Sequence, residues 1–416
     1  MSDFSSALFP RFAARQIESA LEDTPVIMVV GPRQAGKSTL VRRYSGPDRP
    51  YFTLDDETLL SSARSDPSGF VRDMGRAVID EIQRAPELLP SLKMAVDEGR
   101  SPGRFILTGS ADLLTLPTVS ESLAGRMEIV PLLPLSQAEV RGERPGFLKR
   151  ILAGLPPKCS SPIVGRDLVR VVLSGGYPEM LRREPKRRRP WARDYVESLF
   201  VRDVREIAGV ERRDLLLPLF RLLALQSGQI PNFTRWGGEI GLDDKTTRKY
   251  VSVFERLFLL HRLPSWHSNR TSRLVKSAKL HLVDSGIQAS LTGVTEETVE
   301  ADRSRFGPLL ETFAVSEILK QASWEENIAG LFHFRDKDQD EVDLVLETDG
   351  GQLAGIEIKA SATVTPRDFR GLEKLDRSSS RPMALGIVLY DGARVLPFGD
   401  RRFAVPVSAI WDPALP

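Results

Sequence analysis

Eight consecutive residues, Gly31-Pro32-Arg33-Gln34-Ala35-Gly36-Lys37-Ser38, constrain this chain more than any other stretch. They match G-x-x-x-x-G-K-[ST] in full. The run before them, Val26-Ile27-Met28-Val29-Val30, is apolar and strand-sized, and Ser38-Thr39-Leu40-Val41-Arg42-Arg43 can start a helix. Glycines let backbone N–H groups wrap a phosphate, and a helix N-terminus adds a favourable dipole. An accidental glycine-rich turn is the bland alternative, but strand, loop and helix in this order favour a phosphate cradle running from Gly31 to Thr39. In such a cradle Lys37 contacts the β- and γ-phosphates of a nucleotide, and the Ser38 hydroxyl ligates Mg²⁺.

Further short apolar runs follow: Tyr51–Leu54, Ala77–Ile79 and Arg104–Leu107, with helical stretches between them. Continuous apolar runs bounded by turn residues suggest strands buried on both faces, hence a parallel α/β sheet. Ala77-Val78-Ile79 ends in Asp80-Glu81. Asp80 is placed to hold the Mg²⁺ shell and Glu81 to orient an attacking water. Phe105–Ser110 ends in hydroxyls, so Thr108 is a candidate polar sensor beside the γ-phosphate, with an ordinary N-cap by Ser110 as the other reading. Arg126 is a candidate arginine finger, acting in cis or supplied to a neighbouring copy, unless it is a solvated arginine at a strand start.

Over 416 residues, 58 Lys and Arg stand against 56 Asp and Glu, a net charge of +2. That balance excludes a uniformly basic nucleic-acid coat, although not a local patch. A single cysteine, Cys159, fits a reducing cytoplasm and excludes a cysteine zinc cluster. The four histidines show no metal-ligand spacing. Met1-Ser2-Asp3-Phe4 lacks the basic start of a signal peptide. No stretch approaches the ~20 apolar residues of a membrane helix. The expectation is a cytoplasmic protein without membrane partners.

Four segments are expected: a nucleotide-binding core over 1–135, a helical linker with a basic cluster over 136–214, a winged-helix-like module over 215–298, and a C-terminal α/β domain over 299–416. Between Arg182 and Arg193 lie seven basic residues, opposed only by Glu184. This cluster suits nucleic-acid phosphates, a subunit contact or a solvated helix face. Asn232–Glu239 and Asp243–Phe258 read as a helix-turn-helix, with Lys245, Arg248 and Lys249 on its second helix. Leu259–Leu263 and Lys279–Val283 would be wing strands, crowded by Arg262, Arg270, Arg273, Lys276 and Lys279. Packing or oligomerisation is an equally weighted role for such a module.

In the last segment a helical stretch, Phe306–Ser323, precedes strand candidates Leu331–Arg335, Glu341–Leu346 and Leu353–Ile358, then a helix and another strand. Asp343, Glu357 and Lys359 form a D…E-x-K pattern, with Glu357 and Lys359 sharing a strand face. Antiparallel pairing would bring Asp343 beside Glu357, and Glu311 would complete a second Mg²⁺ site with Lys359 activating water. An inactive fold or a salt-bridge network is the alternative. The element order resembles the PD-(D/E)XK nuclease core, a restriction-endonuclease-like fold, although Val342 stands where that family often carries proline.

Gly31–Ser38, Ile79–Gln83, Leu107–Ser110 and Leu123–Arg126 together resemble an AAA+ ATPase. With Pro134-Leu135-Ser136, Val283-Asp284-Ser285-Gly286, Gly307–Glu311 and Glu341–Lys359, the chain resembles prokaryotic ATPases that join an AAA domain (AAA_14) to a C-terminal DUF4143 domain. The expected function is a Mg²⁺-dependent ATPase with ATP and ADP as ligands that couples nucleotide state to a nucleic-acid-binding or nuclease-like C-terminal region; the basic clusters make DNA or RNA a candidate partner, and a homo-oligomer is a candidate. Two alternatives stand beside it: an ATP-regulated, metal-dependent nuclease, and a nucleotide-switched interaction scaffold that cleaves nothing.

Overall fold

A computed structural model describes residues 8–72, 74–109, 123–206 and 212–413. Ser110 and the Met1–Phe4 start therefore lie outside the described residues. The chain divides into two compact units, one of residues 11–134 with 256–258 and the other formed by the remainder.

The first unit is a parallel α/β fold. Its strands are β1 (Val26–Val30), β2 (Tyr51–Thr53), β3 (Ala77–Asp80), β4 (Phe105–Gly109) and β5 (Met127–Pro131), in the order β2-β3-β4-β1-β5. Every pairing is parallel. β1, β3 and β4 are buried along their whole length, as their unbroken apolar runs require. Alternate side chains feed two cores. Val26, Met28, Val30, Ile79 and Leu107 pack with Leu88, Leu92 and Val96 of the Leu88–Glu98 helix. Ile27, Val29, Val78 and Ile106 pack with Ile17 of the Ala14–Asp23 helix and with Leu40 and Val41 behind the glycine loop. β5, the strand that Arg126 precedes, lies at the sheet edge with Glu128 and Ile129 exposed, and their charge and exposure break the apolar pattern.

The second unit carries the Pro185–Glu206 helix, the helix pair Phe233–Gly238 and Asp244–Arg256, and an antiparallel ribbon of β6 (Leu260–Leu263) and β7 (Lys279–Leu282). The two helices and the ribbon stand close to where the sequence places them. Asp284 caps the Ser285–Thr292 helix by accepting from Ile287 N at 2.9 Å, and it also accepts from Gly176 N at 2.7 Å. One buried carboxylate therefore fixes two segments more than 100 residues apart, which accounts for the Val283–Gly286 motif.

Its larger sheet is mixed: β8 (Ile328–Arg335), β9 (Glu341–Thr348), β10 (Leu353–Lys359), β11 (Leu385–Tyr390), β12 (Leu396–Pro397) and β13 (Arg402–Pro406), in the order β12-β13-β11-β10-β9-β8. β9 runs antiparallel to both β8 and β10, while β10, β11 and β13 run parallel. The Phe306–Ala322 helix packs on β10, and the Arg370–Ser378 helix on β9 and β10. No helix among the described residues is long and apolar enough to cross a membrane.

Candidate functional site

β1, β4 and β3 are neighbours, so their C-terminal ends bring three separate sequence segments to one place. The loop after β1 turns through Gln34 and Gly36, both at positive φ, into the Lys37–Val41 helix. Gly36, at φ 97°, takes a backbone that a side chain disfavours. At Gly31, a Cβ would stand 2.1 Å from the Leu132 carbonyl oxygen, so only glycine fits.

Lys37 is buried, and its Nζ donates to the carbonyls of Gly31 and Pro32, each at 3.0 Å. Ser38 Oγ donates to Asp80 Oδ1 at 3.1 Å. The Thr108 hydroxyl donates to the same Asp80 oxygen and accepts from Glu81 N at 3.0 Å. Glu81 itself takes the left-handed backbone, φ 61°, and its carboxylate accepts from the Gln83 side-chain amide. The structure therefore assembles Lys37, Ser38, Asp80, Glu81 and Thr108 from three segments. Two adjacent oxygens, Ser38 Oγ and Asp80 Oδ1, are of the hard type that a cation such as Mg²⁺ takes.

Sequence reasoning missed four residues here. Tyr51 OH donates to Asp80 Oδ2 at 2.6 Å, and burial followed by that bond pushes the phenol up to about 12. Arg42 lies over the Tyr51 ring, 4.5 Å from its centroid. Arg11 holds the loop from behind, donating to Ala35 O at 2.8 Å and Leu133 O at 2.5 Å. Gln83 lies within the Ile79–Gln83 motif, but no spacing rule reveals its bond to Glu81.

Of the two readings of Arg126, the arginine at a strand start is the one the fold places. β5 runs parallel to β1 with Met127 opposite Val26, so Arg126 precedes β5 at the end of the sheet away from Gly31. Five residues of strand, about 16 Å, separate those ends. Its guanidinium is paired with Asp97, Nε to Oδ1 at 2.6 Å. A finger acting in cis is thereby excluded.

The second metal site also changes. β9 and β10 pair antiparallel as expected, with Leu344 opposite Ile356. Asp343 Oδ2 accepts from Ile358 N at 2.9 Å, which fixes its carboxylate at the strand end. The centre of the cluster is an ammonium: Lys279 Nζ lies 2.9 Å from Glu311 Oε1 and 3.3 Å from Asp343 Oδ1, and also pairs with Glu341. Lys359 Nζ instead donates to Glu357 Oε1 at 2.7 Å. Among the described residues no three or more His, Cys, Asp or Glu are grouped to hold a metal ion. Burial, then the neighbouring Asp343, pushes Glu311 and Glu357 each up to about 8.

The expected basic wing is largely neutralised. Arg262 pairs with Glu255 at 2.7 Å, Arg273 with Glu347, and Lys279 is buried. Lys276 is exposed, while the Arg270 side chain lies outside the described residues. Lys245 and Lys249 are exposed, and Arg248 is bound to Asp244 at 2.6 Å. In the Arg182–Arg193 cluster, Arg188 turns inward to Met180 O and Ser174 Oγ, and Arg183 pairs with Glu179 at 2.5 Å. Arg182, Lys186, Arg187, Arg189 and Arg193 face solvent.

Comparison with known proteins agrees with this geometry. Residues 23–141 match the family model of an AAA domain. Residues 165–298 match a domain of unknown function (DUF8612) and residues 306–410 another (DUF4143). The uncharacterized protein Rv2008c of Mycobacterium tuberculosis is 28% identical over 404 residues, spanning 96% of this chain and 84% of that protein. An uncharacterized protein of Haemophilus influenzae is 21% identical over 70% of this chain and 75% of its own length. Among solved structures, the Walker-type ATPase PABY2304 of Pyrococcus abyssi aligns with a TM-score of 0.43 at 17% identity, covering 69% of this chain and 96% of that one. The AAA domain match covers the phosphate loop, the Asp80-Glu81 strand and the Thr108 strand: residues 23–141 are an AAA-type P-loop domain.

Proposed function

We propose that this chain binds ATP with Mg²⁺ at the ends of β1, β3 and β4 and hydrolyses it to ADP. One observation carries the reading: Ser38, Asp80, Glu81 and Thr108, from three segments, converge in one hydrogen-bonded group, with Lys37 beside Ser38 on the phosphate loop. Lys37 now donates to the loop's own carbonyls, acceptors that phosphate oxygens would replace. Ser38 and Asp80 would hold Mg²⁺, which neutralises charge on the phosphates when bound. Glu81 orients the attacking water, and Thr108 fixes Glu81 through its backbone N–H and Asp80 through its carboxylate. Phosphate release by the full chain with Mg²⁺ and ATP tests the reading. A wild-type rate no higher than that of Glu81→Gln would overturn hydrolysis, and binding that persists would leave a nucleotide-switched scaffold. Arg126 is then available only to a second copy of the chain.

A second reading rests on the Pro185–Glu206 helix. Lys186, Arg189 and Arg193, at i, i+3 and i+7, share a helix face, with Arg182 and Arg187 exposed beside them. We infer that this face contacts nucleic-acid phosphates and that nucleotide state modulates the contact. ATPase rates with and without single- and double-stranded DNA and RNA test that coupling. No cleavage step is assigned to the C-terminal domain, because Lys279 stands among the carboxylates such a step would use.

A further inference from the structure

The cluster of Glu311, Glu341 and Asp343 is built from a helix and a strand of the C-terminal α/β domain, but its cation comes from β7 of the ribbon. The Lys279 side chain is 5% exposed, too buried to remain charged without partners. Three carboxylates surround it, and their pull holds the ammonium well above its ordinary range against the cost of burial. A second feature marks the same spot. His281, two residues along β7, is 1% exposed with neither ring nitrogen hydrogen-bonded, and its Nε2 stands 3.9 Å from Glu311 Oε1. Three carboxylate oxygens thus converge on the Lys279 ammonium, and an unpartnered imidazole stands 3.9 Å from one of them.

We infer that Lys279 is the resident cation of this cluster, fastening the β6–β7 ribbon to the C-terminal sheet and keeping divalent metal ions out. A hard divalent cation needs its oxygens at about 2.0–2.6 Å. Lys279 Nζ, at 2.9 and 3.3 Å from two of those oxygens, blocks their closure on an ion. Substituting Lys279 with a neutral residue leaves three carboxylates around a vacated centre, with His281 beside Glu311. That set suits Mn²⁺, which accepts carboxylate and imidazole together. The inference goes beyond the ATPase reading and does not depend on it.

The test is Mn²⁺ binding by the full chain without nucleotide, followed by the loss of the free Mn²⁺ paramagnetic resonance signal. Wild type should show no saturable site below about 1 mM that depends on Asp343, whereas Lys279→Ala should bind one ion at least tenfold more tightly. Asp343→Asn added to Lys279→Ala should abolish that binding. Wild-type binding that Asp343→Asn removes overturns the inference, as does a folded Lys279→Ala protein that takes up no Mn²⁺. Should Lys279→Ala unfold, Lys279→Met keeps the side-chain length. Refolding of either variant by Mn²⁺ supports the inference, and failure of both to refold with Mn²⁺ overturns it. Loss of ATPase activity in Lys37→Ala has no bearing on this outcome.

Discussion

Ser38 Oγ donates to Asp80 Oδ1 across 3.1 Å, joining the phosphate loop to the end of a strand 42 residues later. Asp80 also accepts from Tyr51 at its other oxygen, so its carboxylate is oriented before any nucleotide arrives. Preorganisation of this kind lowers the ordering cost of binding. Lys37 is the counterpart on the loop side, with two carbonyl acceptors 3.0 Å away. Lys37→Ala should weaken fluorescent-nucleotide binding about 100-fold or more, close to 3 kcal/mol. The loss of two hydrogen bonds within the loop should cost only about 1–2 kcal/mol of stability. Unchanged nucleotide affinity in a titration would remove Lys37 from the site.

Glu81 is held twice, by its backbone N–H on Thr108 and by its carboxylate on Gln83. Its left-handed backbone is uncommon for a residue with a side chain, and such strain tends to persist where it aims a functional group. Glu81→Gln preserves shape and should keep nucleotide affinity within about threefold while reducing steady-state phosphate release about 10²–10³-fold. Gln83→Ala should reduce turnover by a smaller factor, roughly tenfold, through misorientation alone. Wild-type phosphate release from Glu81→Gln would assign the water-orienting role elsewhere.

The parts of the site visible in the sequence are those set by local spacing. Gly31 to Ser38 are contiguous, and Asp80-Glu81 ends an apolar run, so each could be read within a few residues. Tyr51 and Arg11 act through tertiary contacts that no periodicity encodes, and Gln83 through a local bond to Glu81 that no spacing rule predicts. Arg126 could be read as standing at a strand start, but the sequence does not encode that β5 pairs parallel with β1, which puts Arg126 at the end of the sheet away from the phosphate loop. Lys279 presents the same difficulty in the second unit. Its place in a short, basic-flanked strand suggested an exposed wing, and only the packing of β7 against the Phe306–Ala322 helix makes it a buried counter-ion. β8 to β11 are legible by contrast, because their apolar runs are bounded by turns or a helix, whereas the short β12 and β13 carry no comparable run.

The exposed face of the Pro185–Glu206 helix gives a charge-count expectation. Removing one cation from a phosphate should reduce the slope of log affinity against log salt by about 0.9 on duplex DNA. Replacing Arg187, Arg189 and Arg193 together with alanine should therefore flatten that slope by about 2–3 and weaken binding more at low than at high salt. Arg248→Ala is the control, since that guanidinium is already committed to Asp244. Anisotropy titrations at several salt concentrations measure both quantities. Equal slopes in the triple variant and wild type would move nucleic-acid contact away from this face.

Stability against pH follows from opposed groups in the second unit. Burial lowers His261 and His333 to about 4 and drives His281 well below its ordinary value. Between about 4 and 6.5 the unfolded chain binds more protons at these histidines, so their contribution rises with pH and is complete above 6.5. Burial, reinforced by Asp343, raises Glu311 and Glu357 to about 8. For them the folded chain binds more protons between about 4.5 and 8, so their contribution falls through that window. From pH 6.5 to 8 the carboxyls act without opposition from the histidines, at no more than about 2 kcal/mol each. Thermal unfolding in metal-free buffer should therefore show the melting temperature declining from pH 6.5 to 8. Glu357→Gln, which cannot titrate, should make that decline shallower, and a slope identical to wild type would show that Glu357 is ionised throughout the window.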